Sequence, residues 1–246
     1  MRRRVKKHLP NAITCANLFS GCVGIVFAFQ DNLVIASYAI FLAAIFDFFD
    51  GFASRVLNST SCIGKDLDSL ADMVSFGFLP SAIMYELLLQ APQTGISTWL
   101  NFIAFLIPVF SALRLAKFNT DTRQAESFIG LPTPANAILI ASFPLILEQY
   151  DGLDRYILNP YGLISFIIVM CILLVAEIPL MSLKFKNRDF NKNFYRYLLL
   201  LFSAILILFF KFAAVPVVIV MYITLSLIQL KFADDTIMSG SHRKSA

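Results

Sequence analysis

The sequence predicts an all-α, polytopic membrane bundle of about eight transmembrane helices with both termini cytoplasmic. Three observations carry that expectation. The 246 residues are 58% hydrophobic, with 25 Phe and only 15% charged residues, which no water-soluble domain of this length requires. Eight apolar stretches are long enough to cross a hydrocarbon core. The cations alternate between the connecting segments.

The spans fall near 11–29, 33–55, 65–90, 96–117, 133–149, 160–183, 194–210 and 213–231. The opening MRRRVKKHLP resembles the charged start of a signal peptide. The apolar stretch behind it has no clear small-residue cleavage site and is nearly span-length, so a retained first helix is expected. Its basic arm suits anionic headgroups. The fifth span opens at Pro132 and Pro134, residues that begin helices well. The last two spans form one apolar run, divided at Lys211 with Pro216 just beyond.

With the N-terminus inside, the cytoplasmic segments hold Arg2, Arg3, Arg4, Lys6, Lys7, Arg55, Lys65, Arg114, Lys117 and Arg123. They also hold Lys184, Lys186, Arg188, Lys192, Arg196, Lys231, Arg243 and Lys244. Of the 20 cations only Arg155 and Lys211 fall outside. An even number of spans follows from the positive-inside rule. The expected organisation is one membrane domain over 1–232 and a mobile cytoplasmic tail over 233–246.

Cys15, Cys22, Cys62 and Cys171 make no CxxC pattern, and no disulfide framework is expected. His8 and His242 lie near the termini, which disfavours a zinc site or a buried histidine base. No nucleic acid partner is expected.

Chemistry concentrates in one stretch: Asp47-x-x-Asp50-Gly51-x-x-Ser54-Arg55, eight residues, then Gly64-x-x-x-Asp68-x-x-x-Asp72. Carboxylates inside apolar helices are costly and are seldom kept without a task. At 100° per residue, Asp47 and Asp50 lie about 60° apart and Asp68 and Asp72 about 40° apart. Each pair points one way, and the short connection folds the pairs toward each other. Four such acids at low dielectric call for cations between them. Oxygen donors without His or Cys suit Mg²⁺, Mn²⁺ or Ca²⁺, and two ions facing a phosphate is the economical arrangement.

Gly51, Ser54 and Gly64 leave room for a ligand to approach the backbone, or else let the second and third helices pack closely. Asp66 projects away from Asp68 and is assigned to helix capping or solvent. Acids in a span also serve cation transporters, which predicts carboxylates spread across the membrane depth; here they cluster toward one face. That face is the cytoplasmic one in the expected topology, where a lipid's head group meets the site and its acyl chains stay in the bilayer.

The pattern from Asp47 to Asp72 resembles the signature of the CDP-alcohol phosphotransferase family, with Ser54 where the family usually has Ala. Further likenesses are Leu9-Pro10-Asn11-Ala12-Ile13-Thr14 and Asn17-Leu18-Phe19-Ser20-Gly21. Ala112 to Thr120 and Phe128 to Ala135 add two more. These resemble the branch of the family whose acceptor is L-serine, over roughly residues 8–140.

The resemblance implies an integral enzyme of the cytoplasmic membrane, homodimeric and facing the cytoplasm. It would transfer a phosphatidyl group from CDP-diacylglycerol to L-serine, giving phosphatidylserine and CMP. By that resemblance Asp47, Asp50, Asp68 and Asp72 hold two divalent cations against the donor's diphosphate. Asp72 is also the candidate general base toward the serine hydroxyl. Gly51, Ser54, Arg55 and Gly64 would admit the donor, with Asn11 and Thr14 as further contacts. Serine's carboxylate needs a cation; Arg114 is the first choice because its planar fork binds a carboxylate bidentately, with Lys117 and Arg123 behind it. Glycerol 3-phosphate or inositol phosphate is the alternative acceptor within the family.

Overall fold

The computed structural model describes residues 2–57, 63–92, 97–121, 128–181 and 193–242. It is built of helices: α1 (Arg2–Phe29), α2 (Leu33–Leu57), α3 (Gly64–Asp72), a π-helix (Met73–Phe78) and α4 (Leu79–Gln90). After a 3₁₀ segment (Thr98–Phe105) come α5 (Leu106–Thr120), α6 (Thr133–Gln149), α7 (Asp154–Ile157) and α8 (Pro160–Val175). Then α9 (Phe194–Phe210) leads through a 3₁₀ turn (Lys211–Ala213) into α10 (Ala214–His242). The expected all-α class is what the structure shows. One two-residue pairing departs from it: β1 (Phe128–Ile129) runs antiparallel to β2 (Pro179–Leu180).

Among the described residues five helical stretches are long and apolar enough to cross a membrane: His8–Phe29, Leu33–Leu57, Gly64–Gln90, Thr98–Thr120 and Phe194–Lys231. The eight expected segments differ from these at identifiable places. The fifth and sixth form helices of 17 and 16 residues, at the short end of what spans a core. The helix expected to reach 183 ends at Val175, because Pro179 holds the chain before it in extended conformations. The last two expected spans fuse into one 38-residue apolar stretch. That stretch is broken at Lys211, whose φ of 48° is a left-handed turn rare for a side-chain-bearing residue, and α9 and α10 pack on each other across the break.

The chain forms two compact units. The first comprises Met1–Thr120 and Pro132–Val175; the second, Asp121–Leu131 and Ala176–Ala246. In the first, the stretch from Gly64 to Gln90 is the central helix. Phe76, Leu79, Ile83, Met84, Leu87 and Leu88 are fully buried in a core shared with Ala36, Ile40, Ala43, Ile107, Ile140 and Ile167. On α1 the inward stripe at helical spacing reads Pro10, Thr14, Asn17, Gly21, Gly24 and Ala28. Its glycines are there for contact. A Cβ on Gly21 would collide with the Ser75 hydroxyl and come within 2.9 Å of Ser75 Cα, and one on Gly24 would meet Leu79 at 2.5 Å.

In the second unit the Met181 backbone is fastened to α10. Tyr222 donates to the Met181 carbonyl at 3.0 Å, and the Met181 amide donates to Ser226 Oγ at 3.1 Å. The α9–α10 pair leaves Leu201, Leu208, Phe209 and Val220 exposed, as a lipid-facing surface would.

The helix directions within the first unit decide which residues can meet at a site. Gln90, ending α4, donates to Asp31 just before α2 at 2.7 Å. Gln90 and Pro92 also share a cleft with Asp154, Arg155 and Asn159, just past the end of α6. These mark one end of the unit, the far end. At the other end Lys65 of α3 donates to the Asn119 carbonyl at 2.8 Å, and Asn119 donates to Ser69 Oγ at 2.7 Å. The C-termini of α2 and α5 and the N-termini of α3 and α6 therefore share the near end.

Candidate active site

Helical spacing turns Asp47 and Asp50 of α2 and Asp68 of α3 toward one another. Ligand oxygens of the three carboxylates all lie within 4.8 Å of each other. Asp50 is the most enclosed of the three at 6% exposed, and its Oδ2 has no hydrogen-bond partner among the described residues. Thr14 of α1 lies beside the same carboxylate, and its hydroxyl also has the Pro10 carbonyl within reach at 3.0 Å.

Asp72 stands one turn beyond Asp68 and is 9% exposed. It is within electrostatic reach of Asp47, Asp68 and Asp50. Its own contact is with α1: the fully buried Asn17 donates Nδ2 to Asp72 Oδ1 at 3.5 Å, a long bond. Asn17 is fixed in turn, because Ser75 donates to its backbone carbonyl at 3.0 Å. The π-helix begins directly after Asp72; its wider turn shifts the rotational phase of the residues after it and brings Ser75 to α1. Insertions of this kind recur at functional sites.

The donor chemistry fits a hard divalent cation. Three carboxylates supply oxygens only, one of them buried with an unsatisfied atom, and their mutual spacing matches the roughly 4–5 Å across a Mg²⁺ or Ca²⁺ coordination sphere. Without such a charge the buried cluster would repel itself.

A Cβ built on Gly51 meets nothing within 4 Å among the described residues, so there this glycine is not an inter-helix packing contact and leaves space beside Asp50. Ser54 is half-buried and Gly64 opens α3. Arg55 is exposed and folds back on its own helix, donating Nε to the Gly51 carbonyl at 2.9 Å, so its guanidinium lies along the rim of that space. Asp66 is exposed in the first turn of α3, where its charge favours the positive end of the helix. Asn11 is half-buried on α1, one turn before Thr14.

Arg114 is 6% exposed and lies over the Phe118 ring at 5.9 Å. Its level is set by register. An ideal Cβ on Gly77 would touch Ser111 at 3.3 Å and Pro108 at 3.6 Å, while Asn119 is bonded to Lys65 and Ser69. The two helices are thus antiparallel, and Arg114 falls level with Asp72 and Met73. Lys117 is exposed toward the helix end, and Arg123 lies outside the described residues. Asn17 is the residue that sequence reasoning left out of the site. Its signal was available: an amide one turn after Thr14, on the face that carries Gly21 and Gly24.

A family model described as CDP-alcohol phosphatidyltransferase matches residues 7–179. The CDP-diacylglycerol–serine O-phosphatidyltransferase of Helicobacter pylori is 31% identical over 201 residues, covering 80% of this chain and 81% of that one. The enzyme of the same name from Bacillus subtilis is 36% identical over 146 residues, covering 57% and 80%. The archaetidylserine synthase of Methanothermobacter thermautotrophicus is 32% identical over 139 residues, covering 56% and 58%.

Proposed function

The chain belongs to the CDP-alcohol phosphatidyltransferase family, and from that premise we propose that it transfers a phosphatidyl group from CDP-diacylglycerol to L-serine. The products are phosphatidylserine and CMP. The convergence of Asp47, Asp50 and Asp68 beside the buried Asp72 carries the reading, and the names of the relatives support the choice of donor and acceptor.

Divalent-metal dependence is general in the family. Asp47, Asp50 and Asp68, with Asp72 as a fourth donor, would hold Mg²⁺ or Mn²⁺, two ions per site. Bound there, the cations would neutralise the donor's diphosphate and ease the departure of CMP. The remaining work falls to the protein. The space beside Gly51 admits the nucleotide, bordered by Ser54, Arg55 and Gly64, with Asn11 and Thr14 on the α1 side. Arg114 holds the serine carboxylate, with Lys117 and Arg123 behind it as the further candidates.

Asp72, oriented by Asn17, takes the proton of the serine hydroxyl as that oxygen bonds to the phosphorus bearing diacylglycerol. The bond from that phosphorus to the CMP oxygen breaks, and CMP leaves with the electron pair. Carboxylates are weak bases toward an alcohol, so alignment of the reacting atoms supplies much of the acceleration.

We place the site at the cytoplasmic face of the cell membrane, with eight spans and both termini inside. The distribution of 18 cations and the break between α9 and α10 support that topology. The homodimer implied by the family resemblance is part of the same proposal.

Purified protein supplied with labelled CDP-diacylglycerol and a panel of alcohols tests the acceptor. Serine is expected to be used best, and ethanolamine, which lacks a carboxylate, poorly. Preference for glycerol 3-phosphate or inositol phosphate would remove serine while leaving the family assignment in place.

A further inference from the structure

Two side chains at the start of α6 are fully buried and lack hydrogen-bond partners among the described residues. Neither the amide oxygen nor the amide nitrogen of Asn136 has a hydrogen-bond partner among the described residues, and the Thr133 hydroxyl has none either. Unpaired buried polar groups destabilise a fold by roughly a factor of ten or more in its equilibrium. Three such atoms within one helical turn need a reason.

Thr133 and Asn136 are three residues apart, on one helix face. That face continues through Ala137, Ile140 and Ala141, which lie in the core with Ala36, Ile40 and Ala43 of α2. The two polar residues therefore look into the bundle. Their depth is that of the aspartates on α2. Counted from the far end at 1.5 Å per residue, Asn136 on α6 and Asp47 on α2 both lie about 20 Å in. Packing against α6 at this level are α2 and the π-helix after Asp72. On α5, which also touches α6, Ser111 is fully buried one turn before Arg114 on the same side, and its hydroxyl has no partner among the described residues.

We propose that Asn136 and Thr133 form the half of the acceptor pocket that takes serine's α-ammonium, opposite the carboxylate half supplied by Arg114. This pocket rests on serine being the acceptor. The Asn136 amide oxygen and the Thr133 hydroxyl oxygen accept from the ammonium. Neutral acceptors suit this duty: another carboxylate beside four acids would add repulsion, and a cation would reject the ammonium. Polar groups left unpaired in the free protein and satisfied only by the acceptor also provide selectivity, because an analogue lacking the ammonium leaves them unpaired.

The test compares L-serine with 3-hydroxypropionate, which keeps the hydroxyl and the carboxylate and lacks the ammonium. Wild-type protein, Asn136→Leu and Thr133→Val are assayed with CDP-diacylglycerol and metal in excess, and their thermal unfolding is followed. Each variant is expected to lose about 10-fold or more in kcat/KM for serine. Activity on 3-hydroxypropionate and the KM for CDP-diacylglycerol should stay near wild type, so the preference for serine collapses. Melting temperatures should hold or rise, since a buried unpaired polar group has been replaced by an apolar one of similar size. Equal losses on both acceptors, or unchanged use of serine, would overturn the assignment of Asn136 and Thr133 alone. A wild-type protein that does not use serine at all would overturn the functional reading, and this pocket with it.

Discussion

Asp72 and Arg114 occupy the same level of the bundle, opposite duties are proposed for them, and substitutions separate the two. If Asp72 is the base, Asp72→Asn abolishes turnover while CDP-diacylglycerol still binds, and Asp72→Glu costs about 100-fold or more because the carboxylate is displaced from the hydroxyl. If Asp72 serves only as a metal ligand, Asp72→Glu keeps substantial activity with an altered metal optimum, and Asp72→Asn loses donor binding. Rates measured beside binding of the nucleotide lipid distinguish the two. Arg114→Lys retains charge and loses the planar fork, so the KM for serine is expected to rise about 10-fold with little change in that for the donor. An equal rise in both would move Arg114 to the phosphate site. The pairing of Asp47 with Asp50 was legible in the sequence because helical periodicity is local. The contact of Asn17 with Asp72 was not, because those residues are 55 apart and only the packing of α1 against α3 brings them together.

At the scale of elements, two glycines that look alike in the sequence sit in opposite surroundings. Gly21 is pressed against Ser75 of the π-helix, and Gly51 faces open space. Gly21→Ala forces α1 away from the π-helix and should destabilise the protein by about 1–3 kcal/mol, with activity lost as Asn17 moves off Asp72. Gly51→Ala meets no atom of the described residues within 4 Å and should leave stability unchanged or raise it by about 1 kcal/mol, since alanine favours a helix. Its effect should be a higher KM for CDP-diacylglycerol. Thermal unfolding beside donor kinetics checks both; a Gly51→Ala protein with normal donor KM would mean that the nucleotide lies elsewhere. Helix starts were readable where prolines mark them, as at Pro132 and Pro134. The early end of α8 at Val175 also had a local signal in Pro179, which the apolar run of the segment outweighed. The π-helix after Asp72 had none, because its extra residue per turn answers to the tertiary contact between Ser75 and Asn17.

Across the whole molecule, the apolar composition and the alternation of cations implied a polytopic helical protein, and the carboxylate motif implied where its chemistry lies. The register of α5 and α6 against the central helix lay beyond sequence reasoning, since apolar helices slide on one another without changing composition. That register is what sets Arg114 level with Asp72, and Asn136 level with Asp47. Metal-dependent transfer at the Asp47–Asp50–Asp68–Asp72 cluster is central to all of this, and phosphatidylserine formation by the purified protein before and after chelation tests it most directly. EDTA should abolish formation of phosphatidylserine and release of CMP, Mg²⁺ or Mn²⁺ should restore both, and Asp68→Asn should remain folded yet resist restoration. Full activity in metal-free buffer, or an Asp68→Asn protein with wild-type turnover, would contradict it.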